Sequence, residues 1–481
     1  MTTTPTTESA IETTSAELFK GLGLLDATTI VMGSMIGSGI FIVAAEIGRE
    51  VGSPGLLLLT WVMSGLMTVL AALTYGELAA MMPRAGGQYV YLREAFGPLL
   101  GFLYGWALFL VIQTGTIAAV AVAFGKFLGV FHPWISAENI LANFGTVTVA
   151  GHRVALTVSS QQLVAILCLS FLAVINIFGL RTGAWVQNIF TALKVGALLG
   201  VIGLGLWWGD THGVAHSQSF WRGAHADMAT LTIVSVALVG PLFSSDAWNN
   251  VTFTGAEVIN PKRNLPLALF VGTLTICVLY LACNWSYLRI LPFEGVQHAA
   301  EDRVATAALQ VIVGAKGASF MAAAIVISTF GCINGLTLAG ARVYYAMAKH
   351  GLFFSSVGRV NPRYHTPVVS LVVQAGWAAL LTLSGTYNEL LEYVVFAVVL
   401  FYILTIAGVL WLRHTRPEAP RPYRAWGYPV VPAIYILFAT FVEWALLAHK
   451  TFRSVAGLCL VGLGIPVYYL WRGRGPVAGR P

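Results

Sequence analysis

Two stretches of this chain combine residues that free the backbone with groups able to hold a small charged molecule. Residues 33–42 read GSMIGSGIFI, and residues 240–250 read GPLFSSDAWNN. Glycine costs about 1 kcal/mol against alanine inside a helix, so three glycines in ten residues mark an interruption. An unwound turn presents N–H groups on one side and C=O groups on the other. The N–H groups that open a half-helix, at the positive end of its dipole, suit a carboxylate; freed carbonyls suit an ammonium. On this reading Ser38, Gly39 and Ile40 offer amides to a carboxylate. The carbonyls of Ile36 and of Phe243, Ser244 and Ser245 face an amine, so the pair of breaks fits a zwitterion. Gly33-x-x-x-Gly37 is also a small-residue spacing that packs helices closely; the second break, with its acid, favours binding.

Single residues sharpen the pattern. Asp246 is a carboxylate inside an apolar run, an expensive placement that marks function. It is open to three functional roles: partner of a cationic side chain, partner of a substrate ammonium, or carrier of a coupling proton. A structural acid bonded to Ser244, Asn249 or Asn250 is the fourth reading. Lys194 is read as the other intramembrane charge, roughly 14 Å from the inner surface at 1.5 Å per residue and too deep for easy snorkelling. A buried ammonium there can do the work of a bound Na⁺ by holding carbonyls and hydroxyls, or it can exchange a proton. Phe243 reads as a lid over the site, or as packing bulk like Trp248. Glu77 is expected to anchor the loop PRAGGQYVYLREAFGP, and Glu257 to anchor the turn at Asn260–Arg263.

These residues need spans to carry them. The chain has 481 residues, 57% hydrophobic and 10% charged, with mean hydropathy +0.77. Soluble domains are about 25% charged, so this is an all-α integral membrane protein. About twelve apolar runs are long enough to cross a bilayer. They lie near 24–50, 55–82, 98–130, 160–179, 184–208, 228–258, 264–291, 317–348, 366–386, 389–412, 427–448 and 453–471. Residues 1–20 read as a disordered cytoplasmic tail without signal-peptide features. Roughly 17 of the Lys and Arg residues fall on the inner side and about 9 outside, which puts both termini in the cytoplasm. The net charge of +7 is thus a matter of orientation and not of nucleic-acid binding. Arg413, Arg416, Arg421 and Arg424 crowd one inner loop, where they can meet anionic lipid; Arg472, Arg474 and Arg480 lie at the inner C-terminus. The five cysteines fall in apolar runs, so no external disulfide framework is expected. His212, His216 and His225 share an outer loop but match no standard zinc spacing. No cofactor or metal is called for.

Irregular backbone at membrane depth survives only where it lines a cavity or is buried in protein. Interrupted helices at matching places in two halves point to a transporter site. Spans 1 and 6 begin two blocks of five, which implies an inverted five-plus-five repeat. Residues 21–208 form the first repeat, 209–413 the second, and 414–481 hold spans 11 and 12 with the C-terminal tail. A membrane enzyme is disfavoured, because no HExxH, nucleophile elbow or His/Cys cluster lies at membrane depth. A channel is disfavoured because two offset breaks make a closed central site.

GSMIGSGIF, YGELAAMMPRAGGQYVYLREAFGP, WNNVTFTGAEVINPKRNLPLAL and STFGCINGLTLAGARVYYAMAKHG, in this order over about Leu22 to Leu412, resemble the amino acid–polyamine–organocation superfamily. Within it they resemble the L-type amino acid transporters. The resemblance implies a LeuT-type fold of twelve spans with broken helices 1 and 6, and alternating access. It implies that Gly37, Ser38 and Gly39 hold a substrate carboxylate, that Phe243 is the outer gate and that Asn249 is a pocket residue. It also implies that Lys194 stands in for a sodium ion, bound by the carbonyls of Gly33 and Ile36 and the hydroxyl of Ser328. The function expected is a sodium-independent L-amino acid transporter or exchanger of the cell (inner) membrane; the alternative is a proton-coupled cationic amino acid permease. Residues 131–159 hold no cysteine, so no disulfide-linked heavy subunit is expected. FSSDAWN departs from the aromatic-Gly-Gly-Trp pattern of the family, and its acid resembles the cystine and cationic amino acid branch. Basic or polar substrates are therefore expected over large neutral ones.

Overall fold

The computed structural model describes residues 18–149, 152–208, 220–225, 227–383 and 387–472. The N-terminal tail before residue 18, His212, His216, Arg474 and Arg480 lie outside the described residues. Among the described residues nine helices are long and apolar enough to cross a bilayer, and four shorter apolar helices accompany them.

The run expected as the first span is three helices: α1 (Leu24–Met35), α2 (Gly39–Ile42) and α3 (Ala44–Val51). Gly52, left-handed at φ 67°, ends α3, as a residue without Cβ can. Ser53 then accepts the Leu56 amide, and Pro54 opens α4 (Pro54–Met81). After α5 (Gln88–Phe96), α6 (Pro98–Ala107) runs through a single π turn at Leu108–Ile112 into α7 (Gln113–Leu128). Two antiparallel strands follow, β1 (Ile140–Val149) and β2 (His152–Ser159). They were not expected of an all-α chain: they lie in a connection, outside the apolar runs that were counted. Ser159 and Gln162 cap α8 (Ser160–Ile177) reciprocally, and α9 (Leu180–Trp208) starts four residues before the expected fifth span.

The run expected as the sixth span also divides, into α10 (Met228–Ala237), α11 (Val239–Ser244) and α12 (Asn250–Phe253). There follow α13 (Pro261–Ile290), two short helices that the sequence did not signal, α14 (Phe293–Gln297) and α15 (Val304–Val313), then α16 (Lys316–Lys349), α17 (Val368–Thr382), α18 (Tyr387–Thr415), α19 (Val430–His449), α20 (Thr451–Gly462) and α21 (Gly464–Arg472).

The interrupted helices sit inside and the continuous ones surround them. α1 packs on α9, α13 and α16; α11 touches α2, α4 and α18; α4 runs along α13. The centre is rich in buried tyrosines, among them Tyr75, Tyr280 and Tyr344, together with Trp248. Large apolar side chains also face outward, including Leu66, Phe171, Trp207, Phe320 and Leu437. Exposed apolar surface on this scale suits a hydrocarbon surround.

Candidate functional site

The first break begins where α1 stops. Ile36 turns extended, with ψ at 91°, and the Gly37 amide donates to the Met35 carbonyl at 2.9 Å. α2 restarts at Gly39. Gly39 and Ile40 occupy its first turn, whose amides lack intrahelical acceptors. Ser38 is buried just before it. The glycines serve close approach. A Cβ at Gly39 would stand 2.2 Å from the Ser244 hydroxyl, and one at Gly33 would stand 2.0 Å from Nε2 of Gln187.

The second break follows α11. Its turn carries Ser245, Asp246, Ala247, Trp248 and Asn249, and Ala247 takes a left-handed φ of 64°. A residue with a Cβ disfavours that region by about 1–2 kcal/mol, a cost met by the surrounding packing. Tyr280 of α13 ties the breaks together, its hydroxyl lying 3.0 Å from the Met35 carbonyl and 3.1 Å from the Ser244 carbonyl.

Lys194 of α9 reaches the first break from the side. Its ammonium is fully buried and donates to the carbonyls of Gly33 at 2.6 Å, Ile36 at 2.9 Å and Ser328 at 3.3 Å. Three acceptors match the three N–H donors of an ammonium. Ser328 differs from expectation, since its carbonyl and not its hydroxyl meets Lys194. The hydroxyl instead donates to the carbonyls of Ile36 and Gly37, at 3.1 and 3.0 Å. Of the two readings of the Ile36 carbonyl, the structure shows the bond from Lys194, and that carbonyl also shares the single Ser328 hydroxyl proton with Gly37. The Ser244 carbonyl shares the single Tyr280 hydroxyl proton with the Met35 carbonyl.

Among the described residues the Asp246 carboxylate is bonded to none of Ser244, Asn249 and Asn250, the structural partners weighed from sequence. The Tyr402 hydroxyl of α18 donates to its Oδ1 at 2.6 Å. Asp246 lines three small cavities. One, of about 10 Å³, is formed by both breaks, with Gly37, Gly39, Phe243 and Ser244 beside Ser34, Thr116 and Cys332. The second, of about 20 Å³, lies between Thr68, Ser245, Trp248 and Tyr402. The third, of about 10 Å³, lies between Gln88, Tyr104, Gln113 and Asn249; the π turn at Leu108–Ile112 borders it. Each holds roughly one water's volume, so the site is closed around its centre. Asn249 donates to Oε1 of Gln88 at 2.6 Å, and Gln88 in turn donates to Thr405 at 3.0 Å. Trp248 is packing bulk in the core: its ring packs on Tyr75 and Tyr402, with centroids 4.8 and 5.2 Å away.

Three further acids, Glu77, Glu443 and Glu257, have surroundings that differ from the sequence reading. Glu77 anchors a different loop from the one expected. It binds Arg413 at 2.5 and 2.9 Å, Arg421 at 3.2 Å and the Ala425 amide at 2.7 Å. Lys194 is also not the remaining intramembrane charge, because Glu443 sits within α19 with both carboxylate oxygens buried and unpartnered. A lone acid in an apolar run was its signal in the sequence. Glu257 pairs in a buried fork with Arg342 of α16, at 2.8 and 3.0 Å. Its carbonyl accepts the amides of Gly21 and Leu22, so the entry to α1 is strapped to the exit from the second break. Tyr280, Tyr402, Gln88 and Ser34 escaped sequence reading. A tyrosine in an apolar run carries no local mark of its partner.

A model of the family described as Amino acid permease matches residues 22–463. The serine/threonine exchanger SteT of Bacillus subtilis (strain 168) is 30% identical over 455 residues, 94% of this chain and 97% of that protein. The human large neutral amino acids transporter small subunit 2 is 30% identical over 469 residues, covering 94% and 80%. The human Asc-type amino acid transporter 1 is 30% identical over 472 residues, covering 95% and 84%.

Proposed function

The chain belongs to the amino acid permease family, a family of membrane transporters and not of enzymes, and from that premise we propose that it is a sodium-independent exchanger of L-amino acids. It works by alternating access in the cell membrane, with both termini cytoplasmic. Ten of twelve spans form a LeuT-type inverted repeat, residues 21–208 and 209–413, followed by spans 11 and 12. The amides of Ser38, Gly39 and Ile40, with Gly37 beside them, take the substrate carboxylate. The carbonyls of Phe243 and Ser245 and the Asp246 carboxylate face its ammonium, Asn249 borders the side-chain pocket, and Phe243 closes the outer side. The tightness of the cavities beside Asp246 favours small polar substrates over large neutral ones. The protein acts without a disulfide-linked heavy subunit.

The observation that carries this reading is Lys194. Its buried ammonium bridges the Gly33 and Ile36 carbonyls of the first break to the Ser328 carbonyl of α16. A tethered cation that satisfies those carbonyls leaves them no call on Na⁺. A second reading, a proton-coupled permease for cationic amino acids, draws on Asp246, a carboxylate at the meeting point of three cavities.

The test is uptake of labelled serine, leucine and arginine into proteoliposomes of the purified protein. Uptake only into vesicles pre-loaded with amino acid, the same in sodium and in choline buffer and indifferent to a pH gradient, is the expected result. Uptake into empty vesicles driven by an inward proton gradient favours the second reading. Uptake that requires sodium overturns the role of Lys194.

A further inference from the structure

A groove of about 900 Å³ opens on the outside of the helix bundle, away from the central site. One wall is Leu70 and Leu73 of α4, the next is Leu267 and Phe270 of α13, and the third is Tyr423 and Trp426 of the segment joining α18 to α19. Its volume is that of a pocket for a sizeable organic ligand, about 300–1,000 Å³, and its lining is almost wholly apolar. Lys262 and Arg263, in the first turn of α13, close one end. Both are exposed, and neither forms an ion pair among the described residues. Phe270 lies about 12 Å further along the helix, at 1.5 Å per residue. The groove therefore has two free cations at its mouth and greasy walls beneath them. Trp426, strongly exposed, and Tyr423 sit beside it as aromatic residues do at the membrane–water boundary.

Three of the four loop arginines that the sequence offered to lipid are otherwise engaged. Arg413 and Arg421 turn inward to Glu77, and Arg416 pairs with Glu94. Arg424 is exposed without an ion pair among the described residues but does not line the groove, whereas Lys262 and Arg263 do.

We propose that this groove is a binding site for one anionic phospholipid, with the headgroup phosphate on Lys262 and Arg263 and acyl chain along Leu70, Leu73 and Phe270. Charge complementarity selects the anionic headgroup, and the apolar walls select a lipid over a free anion. The groove also communicates with the interior. The Tyr423 ring and Pro266 lie against Gly76, where an added Cβ would stand 2.9 and 3.2 Å away. Gly76 is flanked by Glu77, which holds the loop, and by Tyr75, which packs on Trp248 beside Asp246. A lipid in the groove braces α4, α13 and the loop as one unit.

The experiment is native mass spectrometry of the delipidated full chain, titrated separately with palmitoyl-oleoyl-phosphatidylglycerol and with the matching phosphatidylcholine. The expected result is one tightly held phosphatidylglycerol, preferred about thirtyfold, since each basic residue near an anionic headgroup adds about fivefold. Lys262→Gln with Arg263→Gln abolishes the preference, whereas Lys262→Arg with Arg263→Lys retains it. Leu73→Trp, which fills the groove and leaves both cations, weakens retention of phosphatidylglycerol. Should the glutamine pair fail to fold, the wild-type protein decides alone, because an about tenfold rise in salt must erase the preference for an exposed headgroup contact. Equal retention of both lipids overturns the proposal, as does retention unchanged in Leu73→Trp, displacement of the lipid by inorganic phosphate, or a second copy of the chain in place of lipid.

Discussion

At the first break stand Gly33 in α1, Gly37 between the helices and Gly39 opening α2, yet none has a positive φ; between α11 and α12 stands no glycine, yet Ala247 is left-handed at 64°. The two breaks interrupt their helices for different physical reasons. In the first, glycine removes side chains so that other elements can come close: Gln187 and Thr191 against Gly33, and Ser244 against Gly39. Its carbonyls are then held by a cation from another helix. In the second, the backbone itself is forced into a costly turn, and side chains hold it: Asp246 through Tyr402, Asn249 through Gln88. One break is organised by backbone and a tethered charge, the other by side-chain partners. A helix can thus be opened at membrane depth either by making room or by bearing strain.

The difference can be broken or sharpened by substitution. The largest effect is expected for Lys194→Ala, which strips the ammonium from three carbonyls at once. Each buried orphan costs about 1–3 kcal/mol, so exchange in proteoliposomes should fall by about 100-fold or more. Asp246→Asn keeps an acceptor for Tyr402 and should fold with little loss of thermal stability. If it unfolds the protein as severely as Lys194→Ala, the contrast between the breaks fails.

Next in size is Gly39→Ala. Its Cβ would overlap the Ser244 hydroxyl at 2.2 Å, and overpacking of this kind costs about 1–3 kcal/mol. Adding Ser244→Ala should restore most of the loss, though not all, because the Ser244 Cβ itself would lie 3.0 Å away. A double mutant no better than Gly39→Ala would mean that the glycine serves substrate and not packing.

Tyr280→Phe comes third. It removes the hydroxyl shared by the Met35 and Ser244 carbonyls, and a shift in the thermal unfolding midpoint corresponding to about 1–2 kcal/mol is expected. No shift would show that the breaks are held independently. The smallest effect belongs to Ala247→Gly, which relieves the left-handed Cβ while freeing the unfolded chain. A net gain of up to about 1 kcal/mol in unfolding stability is expected, whereas Gly37→Ala, with no positive φ to relieve, should show no mirror-image loss from backbone strain.

Much of this was legible in the residues. A mid-membrane run containing GSMIGSG cannot stay helical at low cost, and a lone Lys194 in apolar surroundings must find acceptors. Those inferences are local, so the sequence reached the sites of interruption and the candidate cluster of Ser38, Gly39, Phe243 and Asp246; the carbonyls of Gly33 and Ile36 as partners of Lys194 came from the family resemblance and not from the residues alone. It did not reach the strands at 140–149 and 152–159, which lie in a connection outside the runs being counted. It also overlooked Glu443, although its signal, one acid in an apolar helix, was of the same kind as that of Asp246.

Composition and local chemistry determined that the chain crosses a membrane, where two of its helices break, and which buried charges need partners, because each of these follows from the cost of a residue in its own surroundings. The partners themselves were decided only by the tertiary structure. Tyr402 finds Asp246 across 156 positions of sequence, Tyr280 finds Met35 across 245, and Arg413 finds Glu77 across 336. A tyrosine or arginine looks the same in sequence whichever acceptor it will meet; packing alone brings one acceptor within 3 Å and so assigns Ile36 to a lysine and leaves Asp246 at the centre of the site.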